Sequence, residues 1–352
     1  MENVDVHQHL LGEPLIEALA RRSAAPRLVR RREGWTFEVA GEPDSTLEFE
    51  ATDPQLRRAE IAADGVDRAL VALSTVLGIE SLPGEEALPL LEAHHLGIEA
   101  LPAEFGGWGA VQLEAPDPAE VDAALDRGCV GITLPAPALG TPEALAAVAP
   151  LLDRLGARDA PLFVHPGPVA AAPAPSSTAD TTAWRLTGGG SVAPALGPDR
   201  PAAPSPTAAG RTATDLAVAL PAWWPALTDY PAQMQAAWFA FLHAGRAAHP
   251  RLRVLFAMLA GGAPLHLERY AARSGSPAPS PDPLVFYDTS SYGPRMIGAM
   301  AEAVGALQLV FGSDRPVVDP APTWPDPDFR IALMATNPGR LFNPQPKGAL
   351  AL

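Results

Sequence analysis

The chain has a single cysteine, Cys129, among its 352 residues, so an intrachain disulfide is excluded. A reducing compartment is expected, and a thiol nucleophile is not. Lysine is equally scarce, with Lys347 near the C-terminus the only one. Positive charge is short overall: 25 Lys and Arg against 40 Asp and Glu leave a net charge of -15 and a pI near 4.9. That balance argues against a protein that neutralises nucleic-acid phosphates or lies on an anionic membrane, and an anionic substrate would have to meet a local basic patch. Long unbroken apolar runs are missing too. The first strand-like run begins at about Asn3, with no room before it for a basic leader and an apolar segment. A cytoplasmic protein with a small-molecule partner is expected.

What the chain has in quantity is small apolar residues and proline. The hydrophobic content of 47% over this length supports a sizeable core, either one large barrel or two average domains. Pro 41 points to many stiff loops between alanine-rich helices.

Eight short apolar runs read as strands: Val4–Val6, Ala69–Leu73, Trp108–Leu113, Val130–Leu134, Leu162–Val164, Val254–Met258, Val285–Tyr287 and Leu307–Phe311. Helical spacing fills most of the intervals, at Asp53–Ala63, Glu85–Leu96, Pro118–Arg127, Thr141–Leu155, Gln233–Ala247, Leu265–Arg273 and Gly293–Val304. This alternation predicts an α/β fold of the (β/α)8 TIM-like barrel type, a single domain over 1–352, with active-site residues just past the strand ends. Long insertions follow strands one and five. The first, 21–50, contains RLVRRREGWTFEVAG and predicts a small hairpin over the barrel mouth, with Trp35, Phe37 and Val39 alternating. The second, 166–222, is rich in Ala, Pro, Gly, Ser and Thr without periodicity, and predicts a mobile loop partly covering the mouth.

The first strand ends in VDVHQHL. Residues two apart on a strand share a face, so His7 and His9 would present their imidazoles side by side. An isolated H-x-H can also be a chance pair at a strand end. Strand five closes on PLFVHPGP, placing His165 at a barrel top, and strand eight on LVFGSDRP, placing Asp314 there. Taken singly, His165 is equally a hydrogen-bonded barrel histidine and Asp314 a helix N-cap before Pro316. Taken together, three imidazoles and a carboxylate suit one divalent ion, Zn²⁺ first, with an open position for water.

These residues resemble the amidohydrolase superfamily, in the amidohydrolase-related branch that holds aminocarboxymuconate-semialdehyde decarboxylase and aromatic acid decarboxylases. The resemblance runs in order through VDVHQHL, FVHPGP, RLRVLFAMLAGGAPLHLERY, VFYDTSSYG, FGSDRP and NPGRLF. It implies metal ligation by His7, His9, His165 and Asp314, with Asp314 also the general base towards a metal-activated water. Relatives are often dimers, which implies a homodimer. Two departures matter. Strand four reads GITLPAP, and with Lys347 the only lysine, the carbamylated lysine that bridges two metals in binuclear relatives is excluded, leaving one metal. On strand six, where decarboxylases of the branch carry an acid-base histidine, this chain has Met258 in AMLAGGAP.

Met258 cannot shuttle protons, although it can pack as core or wall a substrate. His266 replaces the missing group only if its loop folds back, and His94, His95, His243 and His249 are expected to face solvent or cap helices. Substrate reading is expected from Arg315 and Arg295, whose guanidinium forks suit carboxylates, and from Trp223 and Trp224 as apolar walls. The working expectation is a mononuclear metal-dependent hydrolase of a small cyclic or aromatic, carboxylated substrate. Its rivals are a nonoxidative decarboxylase of an aromatic or muconate-type acid and a catalytically reduced barrel serving as a binding or scaffold subunit.

Overall fold

Parallel strands followed by helices dominate the computed structural model, which describes residues 2–32, 34–169, 221, 223–318 and 326–342. The strands are β1 (Val4–Gln8), β2 (Arg27–Arg31), β3 (Gly34–Glu38), β4 (Ser45–Leu47), β5 (Arg68–Val71), β6 (Phe105–Gly107), β7 (Gly109–Ala110), β8 (Ile132–Pro135), β9 (Leu162–His165), β10 (Val254–Phe256), β11 (Val285–Asp288) and β12 (Leu309–Val310). Two sheets are parallel, in the orders β1-β5-β6 and β12-β11-β10-β9-β8-β7, and β2-β3-β4 is antiparallel. Burial on both faces explains why the parallel strands read as apolar runs rather than alternating ones.

β6 and β7 are one stretch of chain interrupted at Trp108, whose N–H donates to Val71 O at 2.8 Å, while Gly109 N–H donates to Gly131 O at 2.9 Å. The two parallel sheets are thus linked there. At the other end, Val6 N–H donates to Phe311 O at 2.9 Å, and Gln8 forms a parallel bridge with Arg315.

The third strand lies earlier than the predicted Trp108–Leu113. It passes through a glycine-rich stretch, because helices press on it: a Cβ at Gly107 would sit 2.4 Å from Ile98, and one at Gly109 2.6 Å from Ala124. An apolar-run criterion cannot see a strand whose packing demands the absence of side chains. Helix starts follow local chemistry instead. Asp53, Asp117 and Thr141 accept backbone N–H groups at the heads of helices Pro54–Ala63, Pro118–Asp126 and Pro142–Ala147, each with proline in its first turn. The predicted helix Thr141–Leu155 is broken at Val148, ahead of Pro150, into Pro142–Ala147 and Ala149–Ala157. The helix expected at Gln233–Ala247 begins earlier, at Asp229, and passes at Phe241 into a wider turn.

The insertion 21–50 forms the β2-β3-β4 sheet, one strand more than a hairpin. Phe37 is buried with Leu28, Leu15, Leu19 and the inner face of helix Gly84–Glu99, while Trp35 and Val39 pack at the edge of that cluster. Residues 170–220 and 222, the body of the predicted second insertion, lie outside the described residues. Among the described residues no helix is long and apolar enough to cross a membrane.

Candidate metal centre

β1 is buried along its length, and the 2-residue repeat puts His7 and His9 on the side where β9 presents His165. Their rings meet edge to face, with all three centroid separations between 4.9 and 5.0 Å. Asp314 comes from the turn after β12. Its φ of 60° lies in the left-handed region, and its N–H donates to His7 O at 2.9 Å. That backbone bond swings the carboxylate over β1, with Asp314 Oδ1 3.4 Å from His7 Nε2 and 3.2 Å from His9 Nε2. One ligand-type atom from each of the four residues lies within 4.8 Å of the others.

Each imidazole is fixed by its other nitrogen. His7 Nδ1 donates to Asp288 Oδ2 at 2.7 Å, and His9 Nδ1 to the Ala72 carbonyl at 3.0 Å. Thr75 gives its hydroxyl hydrogen to Pro166 O, so its oxygen and that carbonyl both face His165 Nδ1, at 2.9 and 3.0 Å, as acceptors. With three Nδ1 atoms protonated, three Nε2 lone pairs converge. His7 Nε2 and His9 Nε2 are only 3.1 Å apart, a repulsive contact unless positive charge sits between them. Ligands about 2.1 Å from one tetrahedral ion are themselves roughly 3.4 Å apart, close to the short separations here. The donor set therefore fits a divalent cation. No ion is part of the structure.

The electrostatics agree. Burial pulls the His7 imidazole down, but Asp288 and Asp314 outweigh it and raise His7 to about 9. Burial among the other two imidazoles pushes His165 well below its ordinary value. Burial pushes Asp314 up, and the surrounding imidazoles more than reverse this, so it stays a carboxylate below the usual range. A buried centre that draws a proton onto His7 in the absence of metal is one that favours a cation.

Sequence reasoning gave Asp288 no role, yet it organises the site. Beyond His7, its Oδ1 accepts the Met258 N–H at 2.9 Å, the Ser290 N–H at 3.0 Å and the Ser290 hydroxyl at 2.6 Å. The signal was a carboxylate closing the buried run VFYD, where charge has no place unless paired. Gly312 was equally overlooked: a Cβ there would lie 2.9 Å from His7 Cβ and 3.0 Å from Asp288 Cβ. Asp5 supports β1 from beneath, accepting the His7 and Ser313 N–H groups and the Gln8 amide.

Met258 is buried at the head of a run of left-handed residues, Met258 to Gly262, two hydrogen bonds from His7 through Asp288. Arg315 turns its guanidinium to Asp64 at 2.9 Å, with Glu60 at 3.9 Å. Arg295 is exposed in the first turn of helix Pro294–Val304. Trp223 and Trp224 are 56% and 38% exposed, their ring centroids 5.8 Å apart, at the surface of the described residues. His94 and His249 are buried rather than solvent-facing: His94 Nε2 reaches Trp108 O at 3.2 Å and His249 Nδ1 reaches Asp153 at 3.0 Å. His243 and His266 are exposed. Burial pushes the Cys129 thiol up to about 12, against any thiolate chemistry.

No family model and no curated protein matches the chain. Solved structures do match it along its length. IDCase of Metarhizium anisopliae, in apo form, superposes with a TM-score of 0.67 at 16% identity over 97% of each chain. The 5-carboxyvanillate decarboxylase of Sphingomonas paucimobilis gives 0.62 at 18% identity over 97% of this chain and 98% of that one. A 2,6-dihydroxybenzoate decarboxylase complexed with 2,6-dihydroxybenzoate gives 0.60 at 16% identity over 97% and 99%. At these identities the likeness is one of fold: the chain shares the order and packing of strands and helices with these decarboxylases.

Proposed function

We propose that this protein is a mononuclear metal-dependent decarboxylase of a small aromatic or similarly conjugated carboxylic acid, built on a closed (β/α)8 barrel. The observation that carries the reading is the convergence of His7, His9 and His165 Nε2 with the Asp314 carboxylate, every Nδ1 being tied to an acceptor. The hydrogen bonds joining β1 to the segment after β12 support closure. Those four residues would hold one divalent ion, Zn²⁺ or Mn²⁺. Manganese is bound in a structure of a 5-carboxyvanillate decarboxylase from Novosphingobium aromaticivorans with this fold.

When bound, the ion supplies a positive centre that takes a substrate carboxylate or hydroxyl and draws electron density from the conjugated system. Asp288, Ala72, Thr75 and Pro166 keep the imidazoles oriented. Met258 stands beside the site as an apolar wall. Arg315 is engaged by Asp64, so carboxylate recognition rests on the ion rather than on that guanidinium.

A second reading is hydrolysis at the same centre, favoured by the depressed Asp314 carboxylate, which can accept a proton from a water. The deciding experiment loads the purified protein with Zn²⁺ or Mn²⁺ and follows CO₂ release from aromatic acids, including 2,6-dihydroxybenzoate and 5-carboxyvanillate, beside hydrolysis of lactones and amides. Metal-dependent CO₂ release establishes the first reading. Hydrolysis without CO₂ release from any acid replaces it with the second.

A further inference from the structure

The metal centre lies past the C-terminal ends of the strands, and a cavity of about 860 Å³ lies at the opposite end of β1 and β5. It opens where those two strands begin and helix Asn337–Phe342 ends, with Val4, Arg68, Leu70, Cys129, Arg340 and Phe342 in its wall. Small-molecule sites typically enclose about 300–1,000 Å³, so the space suffices for one. Among the described residues its only charged lining groups are the two arginines and the exposed Glu2.

In this chain of net charge -15, the buried or half-buried guanidiniums of Arg57, Arg246, Arg253 and Arg315 each lie within 2.9 Å of a carboxylate. Arg68 and Arg340 have no carboxylate partner among the described residues, and Arg68 Nε is buried there without any hydrogen-bond partner. Packing holds Arg68 in place: it pairs in register with Val4, and a Cβ at Gly106 would meet its Nη2 at 2.9 Å. Arg340 donates one N–H to Leu307 O at 2.6 Å, and its guanidinium carbon lies 5.9 Å from the centre of the Phe286 ring. Taking a cation out of water is costly unless an anion or acceptor meets it, so two fixed guanidiniums beside an apolar wall mark a place for one.

We propose that this cavity is a second binding site, for a compact organic anion: an apolar body carrying one carboxylate or phosphate group. The anionic group takes N–H donors from Arg68 and Arg340, whose planar forks match paired oxygens of either kind. The body packs on Val4, Leu70, Cys129 and Phe342. A bare inorganic ion would answer the guanidiniums and leave the apolar wall uncovered. A neutral apolar molecule would cover the wall and leave the guanidiniums unanswered. Only the combination satisfies both. The site stands apart from the metal centre and does not depend on which reaction runs there.

The test titrates para-fluorobenzoate, para-fluorophenyl phosphate and the neutral para-fluorobenzyl alcohol against the Zn²⁺-loaded protein, followed by fluorine NMR. Two variants act on the cavity alone. Arg68→Met keeps the stem beside Gly106 and breaks no ion pair, while Thr336→Trp fills the space from an exposed position in its wall. Metal content and melting temperature are measured for each. At least one of the two anions should bind wild type about tenfold or more tightly than the alcohol, and each variant should weaken that anion about tenfold or more with metal content near wild type. Tighter binding of the benzoate assigns the site to carboxylic acids, and tighter binding of the phosphate assigns it to phosphate esters. Anion binding that neither variant weakens lies elsewhere, the metal centre included, and overturns the proposal. Equal affinity for the alcohol, or no detectable binding of either anion, overturns it as well.

Discussion

Replacing Asp288 by asparagine tests the metal centre through a residue that is not one of its ligands. The carboxylate is fully buried and uses both oxygens as acceptors, Oδ2 for His7 Nδ1 and Oδ1 for Met258 N–H, Ser290 N–H and the Ser290 hydroxyl. An amide has only one acceptor end. With its oxygen towards His7, the NH₂ group faces two backbone donors that lose their partner, at about 1–3 kcal/mol for each group left unsatisfied. With its oxygen towards Ser290, the NH₂ group faces His7 Nδ1 and moves that imidazole's proton to Nε2, the atom turned to the metal. Neither orientation suits the site, so the loss of metal affinity should fall towards the upper end of the 10- to 100-fold range typical of residues that orient ligands, about 2–3 kcal/mol.

The pH dependence sharpens the test. Despite burial, Asp288 and Asp314 raise His7 to about 9, so below that pH the metal must displace a proton, and wild-type affinity should rise by about tenfold per pH unit. Without the Asp288 charge this slope should flatten near neutrality. The assay is competition of Zn²⁺ or Mn²⁺ against a chromophoric chelator from pH 6 to 9, with the melting temperature of the metal-free protein measured in parallel. Ser290→Ala, which removes one donor and leaves the His7 tautomer intact, serves as control. An Asp288→Asn protein whose affinity stays within about threefold of wild type, with an unchanged pH slope, would refute the argument.

Gly312→Ala should reduce metal occupancy and lower the melting temperature together, because its Cβ would arrive 2.9 Å from His7 Cβ; full occupancy by elemental analysis would mean that the strand yields without cost. Asp314→Asn should retain metal on three imidazoles at reduced affinity and, where the reaction is hydrolytic, abolish turnover because an amide cannot take the water's proton; near-normal hydrolysis by the metal-loaded variant would remove Asp314 from that chemistry. Chelation should lower the melting temperature, since an ion at about 100 times its Kd adds about 2.7 kcal/mol to the folded state; no change on adding EDTA to the loaded protein would count against the centre. Glu80 is fully buried with neither carboxylate oxygen partnered among the described residues, and burial raises it from 4.5 to about 8. The folded state thus holds a proton that the unfolded chain has released, so stability falls as pH rises from 4.5 to about 8 and levels off above it. Glu80→Gln should remove roughly 3 kcal/mol of that cost at pH 7 and little at pH 5, and equal melting-temperature gains at both would refute it.

The sequence by itself determined where the candidate ligands stand along the chain. His7, His9, His165 and Asp314 each close an apolar run, and because a strand buried on both faces must be apolar, a polar residue at its end is conspicuous without any structure. Helix starts near Asp53, Pro118 and Thr141 were legible from spacing, and the structure adds the caps that fix them, chemistry between neighbours in sequence. Only the tertiary structure decided which second nitrogen is bound by what. Asp288 lies 281 residues from His7, Thr75 lies 90 from His165, and no local pattern records such a pairing. Packing moved the third strand onto glycines that Ile98 and Ala124 require, a constraint exerted from outside the strand. Tertiary placement also turned the Arg315 guanidinium to Asp64, from another element, and brought Glu42 to Tyr230 across 188 residues. Residue type fixes which chemistry a side chain can perform, while its hydrogen-bond partners, set by long-range contacts, fix which of its atoms remain free to perform it.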